Sequence, residues 1–311
     1  MQMDRKLVVV LGLPRSGTSV LTRGLQAIGA SPGESLLPTT EDNKKGFFED
    51  LDILHINECI LSELGFGIYS FVTSNMDLSS KSIFDLQRSA LEVLRCKFNK
   101  NNFVVIKNPR MTRTLPFWQK IFFELDACVS YVISLRNPLS CADSLIVMHD
   151  EKGELNIPRA KSYWLWLQYY ALAIEGTNGY RRIIVDYDNL VDDPDKSIRR
   201  VADFLSVKID SDKNFVDYCN SFVDKNLRHN IYHIEDIKNS SSTPRTVIDY
   251  YSILSACSVD DADSDELICL TKKCKERLSD TMGLLMLVDK YNHEINKLND
   301  SLINLQSNLG L

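Results

Sequence analysis

The sequence predicts an α/β fold, a parallel central sheet flanked by helices, with a helical extension at the C-terminus. Three observations carry this. Four short apolar runs are continuous rather than alternating and rich in β-branched residues, as strands buried on both faces are. Segments with apolar residues at helical spacing stand between those runs. A glycine-containing turn joins the first run to the first helix, at the edge where open α/β sheets bind their ligands.

The first run is LVVVLGL (7–13), and TSVLTRGLQAI (18–28) after it has helical spacing. Helical patterns follow over 57–64 and 83–96, and then the second run, FVVIKNP (103–109). The third run, CVSYVISLR (128–136), leads into Asn137-Pro138, an N-cap followed by proline at the first helical position. Tyr163, Trp164, Trp166, Leu167, Tyr170 and Leu172 mark another helix, its tryptophans expected as core. The fourth run, YRRIIVDY (180–187), precedes an amphipathic segment over 195–205. Residues 1–207 therefore read as one core, and the polar, poorly periodic stretch 208–262 as irregular cover. Residues 263–311 read as C-terminal helices. There Val288, Tyr291, Ile295, Leu298, Leu302, Leu305 and Leu309 recur at alternating intervals of 3 and 4. That seam fits either a terminal helix packed back on the domain or a coiled coil joining two copies.

With 311 residues, 44% of them apolar, the chain can bury one large core. Its formal net charge of −6 argues against a nucleic-acid partner, though not against a small basic pocket. The eight cysteines form no C-x-x-C pair and read as reduced thiols. No window is apolar enough for a transmembrane span, and the first residues lack signal-peptide features; a cytoplasmic location is expected.

GLPRSGTS (12–19) has the two glycines of the triphosphate-binding pattern G-x-x-x-x-G-K-[ST], but Thr18 stands where the lysine belongs. Backbone N–H groups of such a turn, with the helix N-terminus behind them, still hold an oxyanion. Without the lysine the loop suits a single 5′-phosphate better than a triphosphate with magnesium, and Arg15 restores the missing charge.

Pro14, Arg15, Ser16, Gly17, Thr18 and Ser19 together resemble the 5′-phosphosulfate loop of sulfotransferases, enzymes that use 3′-phosphoadenosine 5′-phosphosulfate (PAPS). The arginine form is similar to that of tyrosylprotein and bacterial glycan or lipid-saccharide sulfotransferases. LRNPLSCADS (135–144) resembles the family's 3′-phosphate motif, which implies that Arg136 and Ser144 grip that phosphate. VIKNPR (105–110) resembles the K-D-P segment, with Asn108 in place of the aspartate, and makes Lys107 a candidate for neutralising charge on the transferring group. YDNLVDDPDKSIRRVADFL (187–205) is similar to a fourth family segment and puts Tyr187 against the adenine. The R-K-G element of cytosolic members has no match.

The resemblance implies a sulfuryl transfer from PAPS to a hydroxyl or amine, without a metal. Arg15, Lys107 and a general base carry it, and the acceptor is expected to be a saccharide or glycan precursor. Related enzymes take the base from a glutamate after the first helix or a histidine after the lysine strand. The latter is lacking here, and GFFED, similar to the G-[YF]-[WF]-E of bacterial members, points to Glu49, ahead of Glu34 and Glu41. Two other readings stay open. One is a kinase-like phosphotransferase with a degenerate loop, whose best feature is Asp186 as a magnesium ligand ending RIIVD. The other is a nucleotide-binding scaffold acting through the C-terminal heptads.

Overall fold

The computed structural model describes residues 5–40, 43, 45–71, 77–151, 157–209, 213–228, 230–260 and 264–309. All four apolar runs form strands: β1 (Lys6–Leu11), β2 (Phe103–Lys107), β3 (Cys128–Leu135) and β4 (Arg182–Asp186). They make one parallel sheet in the order β2-β1-β3-β4. Val8 is in register with Val105 on one side of β1 and with Ser130 on the other.

Successive side chains of β1 point to opposite faces, and the chain buries both. Leu7, Val9 and Leu11 join a large core built with helices α2 (Leu51–Glu63), α3 (Lys81–Lys100), α4 (Met111–Glu124), α5 (Pro138–Glu151) and α6 (Arg159–Gly176). Val8 and Val10 join a smaller core with α1 (Thr18–Ala27), α7 (Tyr187–Asp192), α8 (Pro194–Leu205) and α9 (Lys213–Asp217). A parallel sheet covered on both faces explains why the strands read as continuous apolar runs. The fold class is as expected: α/β, with helices on each side of a parallel sheet.

The helix starts follow local chemistry. Asp50 caps α2, its Oδ1 accepting from the N–H groups of Asp52 and Ile53 at 3.2 Å each. Asn137 Oδ1 accepts from Leu139 N–H at 2.9 Å, so α5 begins at Pro138 as the Asn-Pro pair predicts. Trp166 is fully buried, in line with the core reading of that aromatic segment.

Three differences from the sequence reading have physical causes. α2 begins six residues before the expected position, because the Asp50 cap outweighs the weak periodicity of the first turn. α4 was not foreseen: Pro116 lies inside it, and the polar Thr112, Arg113 and Thr114 are buried among its apolar residues. The stretch 208–262, expected as irregular cover, is corrected: it contains α9, a π-helical turn (Tyr218–Phe222), α10 (Ile234–Asn239) and the long α11 (Arg245–Asp260). Val247, Ile248, Tyr250, Tyr251 and Leu254 of α11 are buried against the large core.

α12 (Asp265–Leu309) closes the chain. Among the described residues no helix is long and apolar enough to cross a membrane, and no three His, Cys, Asp or Glu converge as metal ligands. The carboxyl ends of β1, β2, β3 and β4 lead directly into residues 12–17, 107–110, 136–137 and 187. All four face the same edge of the sheet.

Candidate active site

The loop between β1 and α1 is held in an unusual shape by its neighbours. Gly12 donates its N–H to Thr112 Oγ1 at 3.0 Å, and the Ser16 carbonyl accepts from Ser134 Oγ at 2.7 Å. Gly17 caps α1 with φ of 89°, and a Cβ there would lie 2.1 Å from the Tyr187 ring. The ring therefore rests directly on the glycine backbone. Arg15 also has positive φ, 71°, the strained region for a residue with a side chain.

Arg15 turns away from Lys107. Its Nε donates to Ser144 Oγ at 3.0 Å, and its carbonyl accepts from Arg136 at 2.9 Å. Arg15, Arg136 and Ser144 thus collect at one end of the site. The Arg136 guanidinium lies over the Tyr187 ring, 4.5 Å from its centroid, and reaches the Asn230 carbonyl at 3.4 Å. Its Nε is buried and has no hydrogen-bond partner within the protein.

The backbone of Arg136 is gripped from below. Trp166 Nε1 donates to its carbonyl at 2.9 Å. Tyr170 Oη accepts from its N–H at 3.2 Å and donates to the Ser134 carbonyl at 2.7 Å. The aromatic segment of α6 is core, and it also fixes the residue that ends β3.

At the other end stand Lys107 and Glu49, both buried. Lys107 Nζ donates to Glu49 Oε1 at 2.8 Å, and Asn108 Nδ2 donates to Glu49 Oε2 at 2.7 Å. Burial pulls the Lys107 ammonium below the ordinary lysine pKa, opposed by the Glu49 carboxylate. Ser19 lies 3.3 Å from Lys107 Nζ and donates to the Phe47 carbonyl at 3.1 Å, which ties the start of α1 to this pair.

One cleft of about 720 Å³ is lined by Pro14, Arg15, Gly17, Thr18, Ser19, Glu49, Lys107, Arg136, Ser144 and Tyr187. Ser16 is buried beneath it. The other carboxylates considered are elsewhere or outside view. Glu34 is exposed and paired with Lys100, away from the cleft, and Glu41 lies outside the described residues. Glu58, which the sequence did not single out, lines the cleft and pairs with Arg110 at 2.9 Å. Lys45, Phe222, Asp224 and Asn230 were missed as well, since they come from loops and a π-helical turn without a motif. For Trp166 and Tyr170 the only signal was aromatic size.

Asp186, on which the phosphotransferase reading rests, is engaged within the protein. It is buried and caps α7, accepting the Asn189 N–H at 3.0 Å, and burial pushes its pKa up to about 6. Unfolded, such a group titrates near pH 4. The folded state therefore binds the proton more tightly. The stability this confers is complete below about pH 4 and is lost as the pH rises through about 6. Asp186→Asn keeps a capping oxygen and removes the charge. It should raise the melting temperature by a few degrees at about pH 8 and hardly at all at about pH 4, as scanning fluorimetry would show.

A model described as "Sulfotransferase family" matches residues 8–211. No match was found among curated proteins. Among solved structures, a sulfotransferase domain from the curacin biosynthetic pathway is 16% identical, covering 88% of this chain and 98% of its own, with a TM-score of 0.44. A sulfotransferase domain of the olefin synthase of Synechococcus PCC 7002 is 16% identical, covering 88% and 96%, with a TM-score of 0.42. A sulfotransferase from Mycobacterium avium is 15% identical, covering 85% and 78%, with a TM-score of 0.46.

Proposed function

The chain belongs to the sulfotransferase family, and from that premise we propose that it transfers a sulfuryl group from PAPS to a hydroxyl of a saccharide or glycan precursor, with Glu49 as general base. The observation that carries the reading is the two-ended cleft. Arg136, Ser144 and Arg15 gather at one end, Lys107 and Glu49 at the other, and the phosphate loop runs between them.

The residues present fit a doubly phosphorylated nucleotide. Arg136, whose Nε has no partner within the protein, and the bonded pair Arg15–Ser144 offer a donor set for a terminal phosphate. Loop N–H groups at the α1 N-terminus suit the 5′-phosphate. A volume of about 720 Å³ lies within the usual range for small-molecule sites. When bound, PAPS supplies the sulfuryl group and leaves as adenosine 3′,5′-bisphosphate.

The remaining chemistry belongs to the chain. Glu49 Oε takes the proton of the acceptor hydroxyl as the new S–O bond forms. Lys107 Nζ stands where negative charge collects on the phosphate oxygen released when the old S–O bond breaks. Asn108 holds the Glu49 carboxylate in place where relatives carry an aspartate. Thr40, Asn43, Glu58 and Arg110 line the cleft with hydrogen-bonding groups beside Tyr69, a wall suited to an acceptor rich in hydroxyls.

Adenosine 3′,5′-bisphosphate is expected to raise the melting temperature, whereas ATP with magnesium is not. The companion assay is transfer of labelled sulfate from PAPS to glycan fractions. Stabilisation by ATP with magnesium alone would overturn the donor assignment. Stabilisation by the bisphosphate without transfer to any acceptor would leave a nucleotide-binding scaffold.

A further inference from the structure

α12 divides into two stretches by what lies against it. In the first, Leu267, Thr271, Cys274, Leu278 and Leu285 are buried along one face. Among the described residues, its last polar tie to the body is Asp289, which accepts the Phe71 N–H at 2.5 Å and pairs with Lys161 at 2.6 Å.

A second stripe begins before the first ends. Val288, Tyr291, Ile295, Leu298, Leu302 and Leu305 are between 41% and 67% exposed, although all are large and apolar. Leu284, one residue before buried Leu285, starts the stripe at 67% exposure. One residue is about 100° of helix rotation. The stripe therefore runs beside the buried face and leaves the body contacts intact.

We infer that this stripe pairs with the same stripe of a second copy, in a parallel, in-register, two-stranded coiled coil that makes the protein a homodimer. The register specifies the geometry. With Val288, Ile295 and Leu302 at the a positions, Leu284, Tyr291, Leu298 and Leu305 fall at d. Two of the three a residues are β-branched and three of the four d residues are leucine, and β-branched residues at a with leucine at d favour two parallel strands.

The flanks suit a copy of the same chain. The e positions are Asn292, Asn299 and Gln306, and the g positions include Glu294 and Ser301. Like charges do not face each other across a homodimeric seam, and the opposite-charge pattern that would select a different helix is lacking. The area is sufficient: seven large side chains per copy, each with on the order of 100 Å² to bury, remove well over 1,000 Å² in total, the scale of a specific interface. Left alone in water, a helix projecting beyond its body has little to stabilise it.

Sedimentation of the full chain at micromolar concentration should show a dimer. Ile295→Lys combined with Leu298→Lys should weaken association by at least 10²-fold, while bisphosphate binding, which reports the intact body, stays unchanged. The register is read by cross-linking, in a background where the exposed Cys96, Cys128 and Cys269 are serine. Leu302→Cys should give a covalent dimer on mild oxidation, whereas Lys297→Cys on the outer face should not. A monomeric wild-type chain, or a dimer that survives the double lysine change, overturns the proposal. A dimer in which Leu302→Cys fails to cross-link overturns the parallel register.

Discussion

Glu49→Gln is expected to slow turnover by about 10²-fold or more while leaving nucleotide affinity nearly unchanged. Two losses add in this variant. The amide cannot take the acceptor's proton. It also leaves the buried Lys107 ammonium without the carboxylate that sits 2.8 Å from it, so burial pulls the lysine still further toward its neutral form. The shape of the site is kept, since one amide oxygen can still accept from Lys107 or Asn108. Neither group belongs to the Arg136 end, so binding of adenosine 3′,5′-bisphosphate should hold. Steady-state kinetics with calorimetry in parallel separates the two readouts. Unimpaired turnover would remove Glu49 from the reaction and pass the role to Glu58, a second carboxylate lining the cleft.

Arg136→Ala should weaken binding of adenosine 3′,5′-bisphosphate by roughly 10- to 150-fold, the equivalent of about 1.5–3 kcal/mol for hydrogen bonds to a charged group. Adenosine 5′-phosphate should bind the variant about as well as it binds the parent, because the phosphate loop is untouched. That contrast separates a lost 3′-phosphate contact from a disturbed pocket. Disturbance is limited in any case: Trp166 and Tyr170 hold backbone atoms of residue 136, which alanine retains. Arg136→Lys should recover only part of the loss, since a point charge cannot reproduce the guanidinium fork. Equal weakening for both nucleotides would show that Arg136 supports the loop carbonyl of Arg15 and does not contact phosphate.

Some of the site was legible because its signals are short. Gly17 is demanded by one backbone angle and one aromatic ring, and the Arg136–Ser144 pair is set by a strand end and two turns of the following helix. Arg15 shows the limit. Its charge was read, but its direction was not: the positive φ and the Ser144 hydroxyl carry it to the Arg136 end, away from Lys107. Among the glutamates, the GFFED segment favoured Glu49 over Glu34 and Glu41 only by resemblance. Only packing put Glu49 between Lys107 and Asn108, 58 residues away along the chain, and left Glu34 in solvent.

By itself the sequence determined the four strands, the glycine turn between β1 and α1, and the residues at the carboxyl ends of β2 and β3. These depend on continuous apolar runs and on backbone geometry within a few residues. The tertiary structure alone decided that Glu49 lies against Lys107 and Asn108, how Thr112, Ser134, Trp166 and Tyr170 brace the site, and that α11 is helical. Those contacts join segments far apart in the chain, which no local pattern of polar and apolar residues announces.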